Sequence, residues 1–367
     1  ANPDQALAEA RARIAMLEAQ LNTESNHQGS EKLTAAKAAL ERGDSTLADA
    51  LFAAAEQAEE LAINRAATAA FARGQIAQGD IRWADALAHY QRAVELGANY
   101  DRLLAAQEMA WRTGQYNQAL HWGPKLIQAA IDEFGENTEQ HATALNEHAL
   151  TLRAKGKFDQ TETLFKQAID IGKVTIGETH PNYATRLNNL AGLYRAMGRL
   201  EQAEPLFKQA IYIGKATIGE THQDYAKRLN NLASLYHDVG RLKQAEPLYQ
   251  QAIDIYKATI GEAHPDVAIT LSNLAQLYRV MGRLEQAEPL FKQAIDIGKA
   301  TIGEAHPDVA ITLNNLANLY RDIGQFEPAE PLYQQALQIL ETAVGPDHPH
   351  TQRVQKNYKS LLNQMGD

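Results

Sequence analysis

A cationic or protonatable side chain recurs every 42 residues along the second half of this chain, at Arg153, Arg195, His237, Arg279 and Arg321. Guanidinium groups in a row recognise carboxylates through paired, charge-assisted hydrogen bonds, and a histidine in the same row adds a group that titrates near neutrality. Seven positions earlier runs a second row, Asn146, Asn188, Asn230, Ser272 and Asn314. A carboxamide both donates and accepts, so such a row can hold the backbone of an extended ligand. Between the two lies a variable row, Leu150, Gly192, Ser234, Gln276 and Asn318. Spacings of i, i+4 and i+7 put all three on one face of a helix, about 100° from the apolar stripe. One period before Arg153 the cationic row continues with Trp111. The expected partner-binding face is therefore Trp111, Asn146, Arg153, Asn188, Arg195, Asn230, His237, Gln276, Arg279, Asn314, Asn318 and Arg321. Alternatively, the arginines pair with acidic residues of the next unit and the asparagines bond within the stack. The adjacent row Asn189, Asn231, Asn273 and Asn315 points further round the helix, and inter-unit hydrogen bonding of buried amides is expected of it.

Other chemistry is excluded. His180, His222, His264, His306 and His348 also recur every 42 residues. Packed helices lie about 10 Å apart, too far for neighbouring units to share a metal ion at bonds of about 2 Å. A local cap or packing role is expected of each, and no metal site or cofactor. There is no phosphate loop, zincin motif or nucleophile elbow, so the chain does not read as an enzyme. It contains no Cys.

The elements that carry these rows repeat as well. The segment GRLEQAEPLFKQAI stands at Gly198–Ile211 and, unchanged, at Gly282–Ile295, with looser copies starting at Gly156, Gly240 and Gly324. A fixed period of this length is the signature of a solenoid, in which each unit buries its core against the next. In the unit starting at His180, Pro181 suits a first helical turn, Gly198 a turn after about Met197, and Leu200–Thr217 a second helix. Pro205 is expected near that helix's start, where early N–H groups lack partners. Leu187, Leu190, Ala191 and Tyr194 form the stripe of the first helix, and Ala203, Phe207 and Ala210 that of the second.

Organisation follows from these patterns. Residues 1–29 read as an amphipathic helix (Leu7, Ala10, Ile14, Leu17, Leu21) and a linker, with a possible homodimer through residues 1–21. Residues 30–137 form three divergent repeats, the first two offset by 36 residues with turns at Gly43 and Gly79. Each is expected to have a helix before its turn and a separate helix after it. Gly123-Pro124 is expected to kink or restart a helix of the third. Residues 138–346 hold five regular repeats, and residues 347–367 a capping helix.

The series Ala191, Tyr194, Gly198, Leu200, Ala203, Phe207 and Ala210 resembles the tetratricopeptide repeat. The 42-residue length, the LNNLAxLY core and the HPD/HPN openings resemble the kinesin light chain subtype. The resemblance implies an all-α, right-handed superhelical solenoid of antiparallel helix pairs, whose inner groove, lined by first helices, binds peptides or partner proteins.

The function expected is a non-catalytic scaffold or adaptor for a protein or peptide with acidic residues. The alternatives are a structural subunit using its convex face or ends, or a regulatory array of a signalling ATPase or protease system. A formal net charge of −10 argues against nucleic acid as partner. No apolar run approaches the ~20 residues that span a bilayer. No membrane contact and a cytoplasmic location are expected, although a chain starting at Ala1 is compatible with a signal or anchor removed upstream.

Overall fold

The computed structural model describes residues 45–366, with residues 32, 35, 36, 38 and 39. The expected N-terminal helix and linker, the homodimer through residues 1–21, and the turn at Gly43 lie outside these residues. Among the described residues all regular structure is helical: α1 (Ser45–Gly79), α2 (Trp83–Leu96), α3 (Tyr100–Arg112), α4 (Tyr116–Phe134), α5 (Glu139–Ala154), α6 (Phe158–Thr175), α7 (Pro181–Ala196), α8 (Leu200–Thr217), α9 (Gln223–Asp238), α10 (Leu242–Ile260), α11 (Pro265–Val280), α12 (Leu284–Thr301), α13 (Pro307–Asp322), α14 (Phe326–Ala343) and α15 (Pro349–Gly366). None is long and apolar enough to cross a membrane. The described residues fall into two compact units, divided between Met109 and Ala110.

In the first unit, the helix break expected between two short repeats does not occur. Helix α1 runs unbroken for 35 residues, because Ala-rich sequence offers no Gly or Pro between Ser45 and Arg73 to stop it. Gly74 inside it is a packing requirement: a Cβ there would overlap the Tyr90 ring. Tyr90 is 1% exposed and donates to Gln78 Oε1 at 2.6 Å.

The second unit is an α-solenoid of antiparallel pairs, α5/α6, α7/α8, α9/α10, α11/α12 and α13/α14, preceded by α4 and closed by α15. Each pair packs on the next, and successive first helices also touch one another, which places them on the inner side of the curve. Phe165, Phe207, Tyr249, Phe291 and Tyr333 are buried inside their pairs, and Tyr194, Tyr236, Tyr278 and Tyr320 lie between pairs. The turns at Gly156, Gly198, Gly240, Gly282 and Gly324 all have φ between +73° and +78°, the left-handed region that favours glycine. Helix α4 continues through Gly123-Pro124 instead of restarting; Gly123 makes room for the His148 ring. Pro205 is the sixth residue of α8, not one of its first turn. It sits on the exposed side, where the carbonyl it leaves free can face water.

The recurrent histidines are N-caps. His180, His222, His264, His306 and His348 each accept, through Nδ1, the backbone N–H two residues on, at 3.0–3.2 Å. An imidazole can accept there only while that nitrogen is unprotonated.

Two features tie pair to pair. On the outer turns, Glu162 accepts from Arg199 (2.8 Å) and from the Tyr194 hydroxyl (3.2 Å), and Glu204 and Glu246 accept from Arg241 and Arg283. Inside, Arg186 and Arg228 lie 2% exposed against Gly172 and Gly214, whose missing side chains make the space. Arg186 bonds Glu139 at 2.6 Å, whereas Arg228 donates to the Pro181 carbonyl and Thr185. The later equivalents of the arginines are Thr270 and Thr312, so the contact between arginine and glycine is made in the units of Arg186 and Arg228.

Gly214→Ala should therefore lower the melting temperature, because overpacking costs about 1–3 kcal/mol and outweighs alanine's helix propensity. Adding Arg228→Thr should recover the loss; equal melting of the single variant and the parent would refute this packing account. A second expectation concerns pH. Burial lowers the pKa of His264 and His348 below the usual range, so the unfolded chain binds protons more readily than the fold. That stability is present above about pH 6.5 and is lost as pH falls towards the folded values. Glu162, Glu204 and Glu288, held below the usual carboxylate range chiefly by hydrogen bonds from Lys166, Lys208 and Lys292, add a loss only at lower pH, below about 4.5. Melting followed by circular dichroism should show a decline between pH 7 and 5, made shallower by His264→Asn with His348→Asn.

Candidate functional site

The inner face of the second unit is built from α5, α7, α9, α11 and α13, whose Leu and Tyr stripes turn towards the paired helices and leave the polar rows inward. The adjacent asparagine row does bond between units. Asn189 donates to Asn146 Oδ1 at 3.0 Å, Asn231 to Asn188 at 3.1 Å, Asn273 to Asn230 at 3.0 Å, and Asn357 of α15 to Asn314 at 2.9 Å. The step fails where Ser272 replaces the acceptor, and Asn315 there accepts from Asn314 instead.

The acceptors of this ladder are the residues expected to hold a ligand backbone. Asn146, Asn188, Asn230 and Asn314 are only 1–8% exposed, and their side-chain oxygens are engaged by the following unit. This corrects the expectation of a free recognition row. The variable row is also largely internal. Tyr249 donates to Ser234 at 3.0 Å and Tyr333 to Asn318 at 2.7 Å. Phe207 and Phe291 stand at the equivalent positions opposite Gly192 and Gln276, so the row follows the Phe/Tyr alternation of the second helices. Gln276 accepts from Arg279 Nε at 3.2 Å.

The cationic row remains on the inner face, half-buried. Two aspartates that directly follow it, in alternate units, organise most of it. Asp238 lies 3.4 Å from Arg195 of the unit before and 3.3 Å from His237. Asp322 pairs likewise with Arg279 of the unit before and, at 3.1 Å, with Arg321. Ala196 stands where Arg153 would need such a carboxylate; Arg153 instead reaches over Gly192, its Nη1 2.8 Å from where a Cβ would sit. His237 Nε2 is buried with no hydrogen-bond partner, and so is Trp111 Nε1. Trp111 itself packs partly buried against the main apolar core.

The winding adds residues that the rows do not contain. The turn at Gly114 meets Pro307 and His306, and the turn at Gly156 meets Pro349 and His348. His306 Nε2 bonds the Arg112 carbonyl at 2.9 Å, and Lys155 donates to the Val344 carbonyl at 3.1 Å. The end of the array thus returns to its beginning, bringing His350 and Arg353 of α15 into electrostatic reach of Arg195.

Curved stacks of helix pairs with a polar inner face define an α-solenoid of interaction type. The chain belongs to the tetratricopeptide repeat family, which matches residues 140–216, 187–258, 266–342 and 308–367, more than half of its length. Among curated proteins none matches. Among solved structures, the chain is similar to a Rap protein complexed with competence and sporulation factor, with 13% identity, a TM-score of 0.61, and 87% of this chain and 99% of that chain covered. It is also similar to nearly identical TPR-like repeats of a putative kinesin light chain from Podosopora anserina (26% identity, TM-score 0.42, 54% and 94% covered). A further likeness is to BtubC (BKLC) from P. vanneervenii (21%, 0.45, 69% and 94%). The likeness to the Rap protein is one of fold.

The two kinds of polar row should separate in stability. Asn189→Ala leaves the buried Asn146 oxygen unpaired and should cost about 1–3 kcal/mol. Asp322→Asn keeps an oxygen acceptor towards Arg279 and Arg321, whose side chains are 18% and 19% exposed, and should cost less, about 1 kcal/mol. Thermal unfolding of both variants checks the order, and a reversed order contradicts it.

Proposed function

We propose that the protein is a non-catalytic scaffold, working in the cytoplasm, whose inner face over α5–α13 holds an acidic segment of a partner protein or peptide. The observation that carries this reading is the imbalance of charge on that face. Five cationic or protonatable groups, Arg153 to Arg321, meet two carboxylates, Asp238 and Asp322. The aspartates hold the guanidiniums in position, and a partner's carboxylates offer the same paired hydrogen bonds. His237, whose buried Nε2 has no hydrogen-bond partner, belongs to the same row. Tetratricopeptide repeats in general serve as protein-interaction scaffolds, in keeping with the reading.

The test compares proteins captured by the intact chain with those captured by an Arg279→Gln/Arg321→Gln variant. Glutamine avoids the repulsion that glutamate would meet at Asp322. Partners of the groove should bind the variant at least tenfold more weakly, the equivalent of about 1.5 kcal/mol for one charge-assisted bond. Their binding should also weaken with added salt. If every captured protein is retained equally by the variant, the inner face is not the site.

One observation favours a second reading, a structural subunit that uses its outer face. Tyr212 on α8 is 76% exposed and Val174 on α6 is 87% exposed, and aspartates occupy the positions equivalent to Tyr212 in neighbouring units (Asp170, Asp254, Asp296). Tyr212→Asp should release an outer-face partner and leave a groove partner bound.

A further inference from the structure

Where the array returns on itself, Arg195 and Arg353 share one carboxylate, and Arg153 reaches over Gly192 beside them. Arg153 ends α5, Arg195 ends α7, and Arg353 lies in the first turns of α15. The acid among them is Asp238, 3.4 Å from Arg195. Arg353 Nη2 lies 2.8 Å from His350 Nδ1. A guanidinium can only donate, so this imidazole accepts and is neutral, leaving its Nε2–H as a further donor. The His348 and His350 rings lie 5.1 Å apart. His348 is fixed by its own cap bond to His350 N–H and by a bond to the Ala154 backbone.

The seam itself is close-packed. Gly156 lies against Pro349, with 3.3 Å between that ring and the place a Cβ would take, and Lys155 is tied to the Val344 carbonyl. The helix ends that carry these charges are therefore held together by packing. Burial first, and neighbouring positive charge second, depress Arg153, Arg353 and His350. Burial and Arg195 bring Arg153 down to about 10. Burial and Arg195 also lower Arg353, and burial with Arg353, His348 and Arg195 pushes His350 down to about 3. The cluster still opens to solvent, since Arg353 is exposed and Arg153 and Arg195 are half-buried. The positive end of the α15 dipole points to the same place.

We propose that this seam is a binding site for a small free multivalent oxyanion of the phosphate class, held by Arg153, Arg195 and Arg353 with the His350 Nε2–H. An ion carrying two or more negative charges compensates what Asp238 alone cannot, and its several oxygens match guanidinium forks from three different helices. Bound there, it joins α15 to α5 and α7 and closes the array. The site shares Arg153 and Arg195 with the proposed groove but takes Arg353 and His350 from α15, outside the inner row of repeats.

The test is calorimetric titration of the intact chain with inorganic phosphate and with pyrophosphate, against sodium chloride at matched ionic strength. Hydrogen exchange of residues 349–366 is followed in parallel. Saturable binding is expected, tighter for pyrophosphate, with slowed exchange across α15. Arg353→Gln and Arg153→Gln should each weaken binding at least tenfold. Arg353→Lys should recover part of it, and Arg199→Gln on the outer turn should leave it unchanged. Circular dichroism confirms that each variant is folded; Arg353 is exposed, so its replacement leaves the core intact. Three results would overturn the proposal: no heat beyond the chloride control, unchanged affinity in both glutamine variants, or displacement of pyrophosphate by a glutamate-rich peptide with the same dependence on Arg353. The last would assign these residues to a partner's acidic segment.

Discussion

The amide step from one helix pair to the next, Asn189 on Asn146 and its repeats 42 residues on, is the constraint from which the second unit follows. Apolar burial between pairs is strong but has little direction. Leu and Tyr stripes alone would let neighbouring pairs slide or rotate by several degrees. A buried carboxamide left without its partner costs far more than a slightly worse apolar contact. Asn189, Asn231, Asn273 and Asn357 therefore set the angle between successive pairs. An angle repeated from pair to pair is a curvature, and the curvature decides which distant residues meet.

The inner face is largely consumed by that duty. Two of its three polar rows turn inward, one to the ladder and one to the alternating Phe and Tyr of the second helices. What is left for partners is the cationic row, and even there Asp238 and Asp322 hold most members in place. Such a face is preorganised: its guanidiniums are already extended and aimed, so a ligand carboxylate meets little ordering cost in the protein.

Much of this was legible in the sequence, because a period of 42 converts a one-dimensional pattern into a surface. Helix limits such as Leu200–Thr217, the glycine turns and the capping role of the histidines all followed from local rules. The Asn188 row was misread because its chemistry suits a ligand backbone as well as a neighbouring amide. Only the donor row beside it, offset by 43 residues in space, decides between them. Asp238 and Asp322 were readable, each standing one residue after the cationic row. The continuity of α1 was not legible, since offset similarity between Gly43 and Gly79 says nothing about whether a helix stops between them. His350 and Arg353 were beyond reach. Their approach to Arg195 arises from the accumulated angle of several pairs, a quantity that no short window of sequence contains.

That accumulated angle also explains why the charges collect where they do. Each pair contributes one inward cation, and a straight stack would keep such cations about one helix-packing distance apart, screened by solvent. Winding brings the start of α15 against the end of α5 and adds Arg353 to the ends of two earlier helices. The local density of positive charge rises without any change in net charge, which stays at −10 for the chain. The acidic residues that balance the total lie elsewhere, among them Glu162, Glu204 and Glu246 on the outer turns, where they bind one pair to the next. Separating the signs in this way stabilises the stack with outer ion pairs and leaves the inner seam electropositive. A protein of acidic composition can thereby present a surface that selects anions.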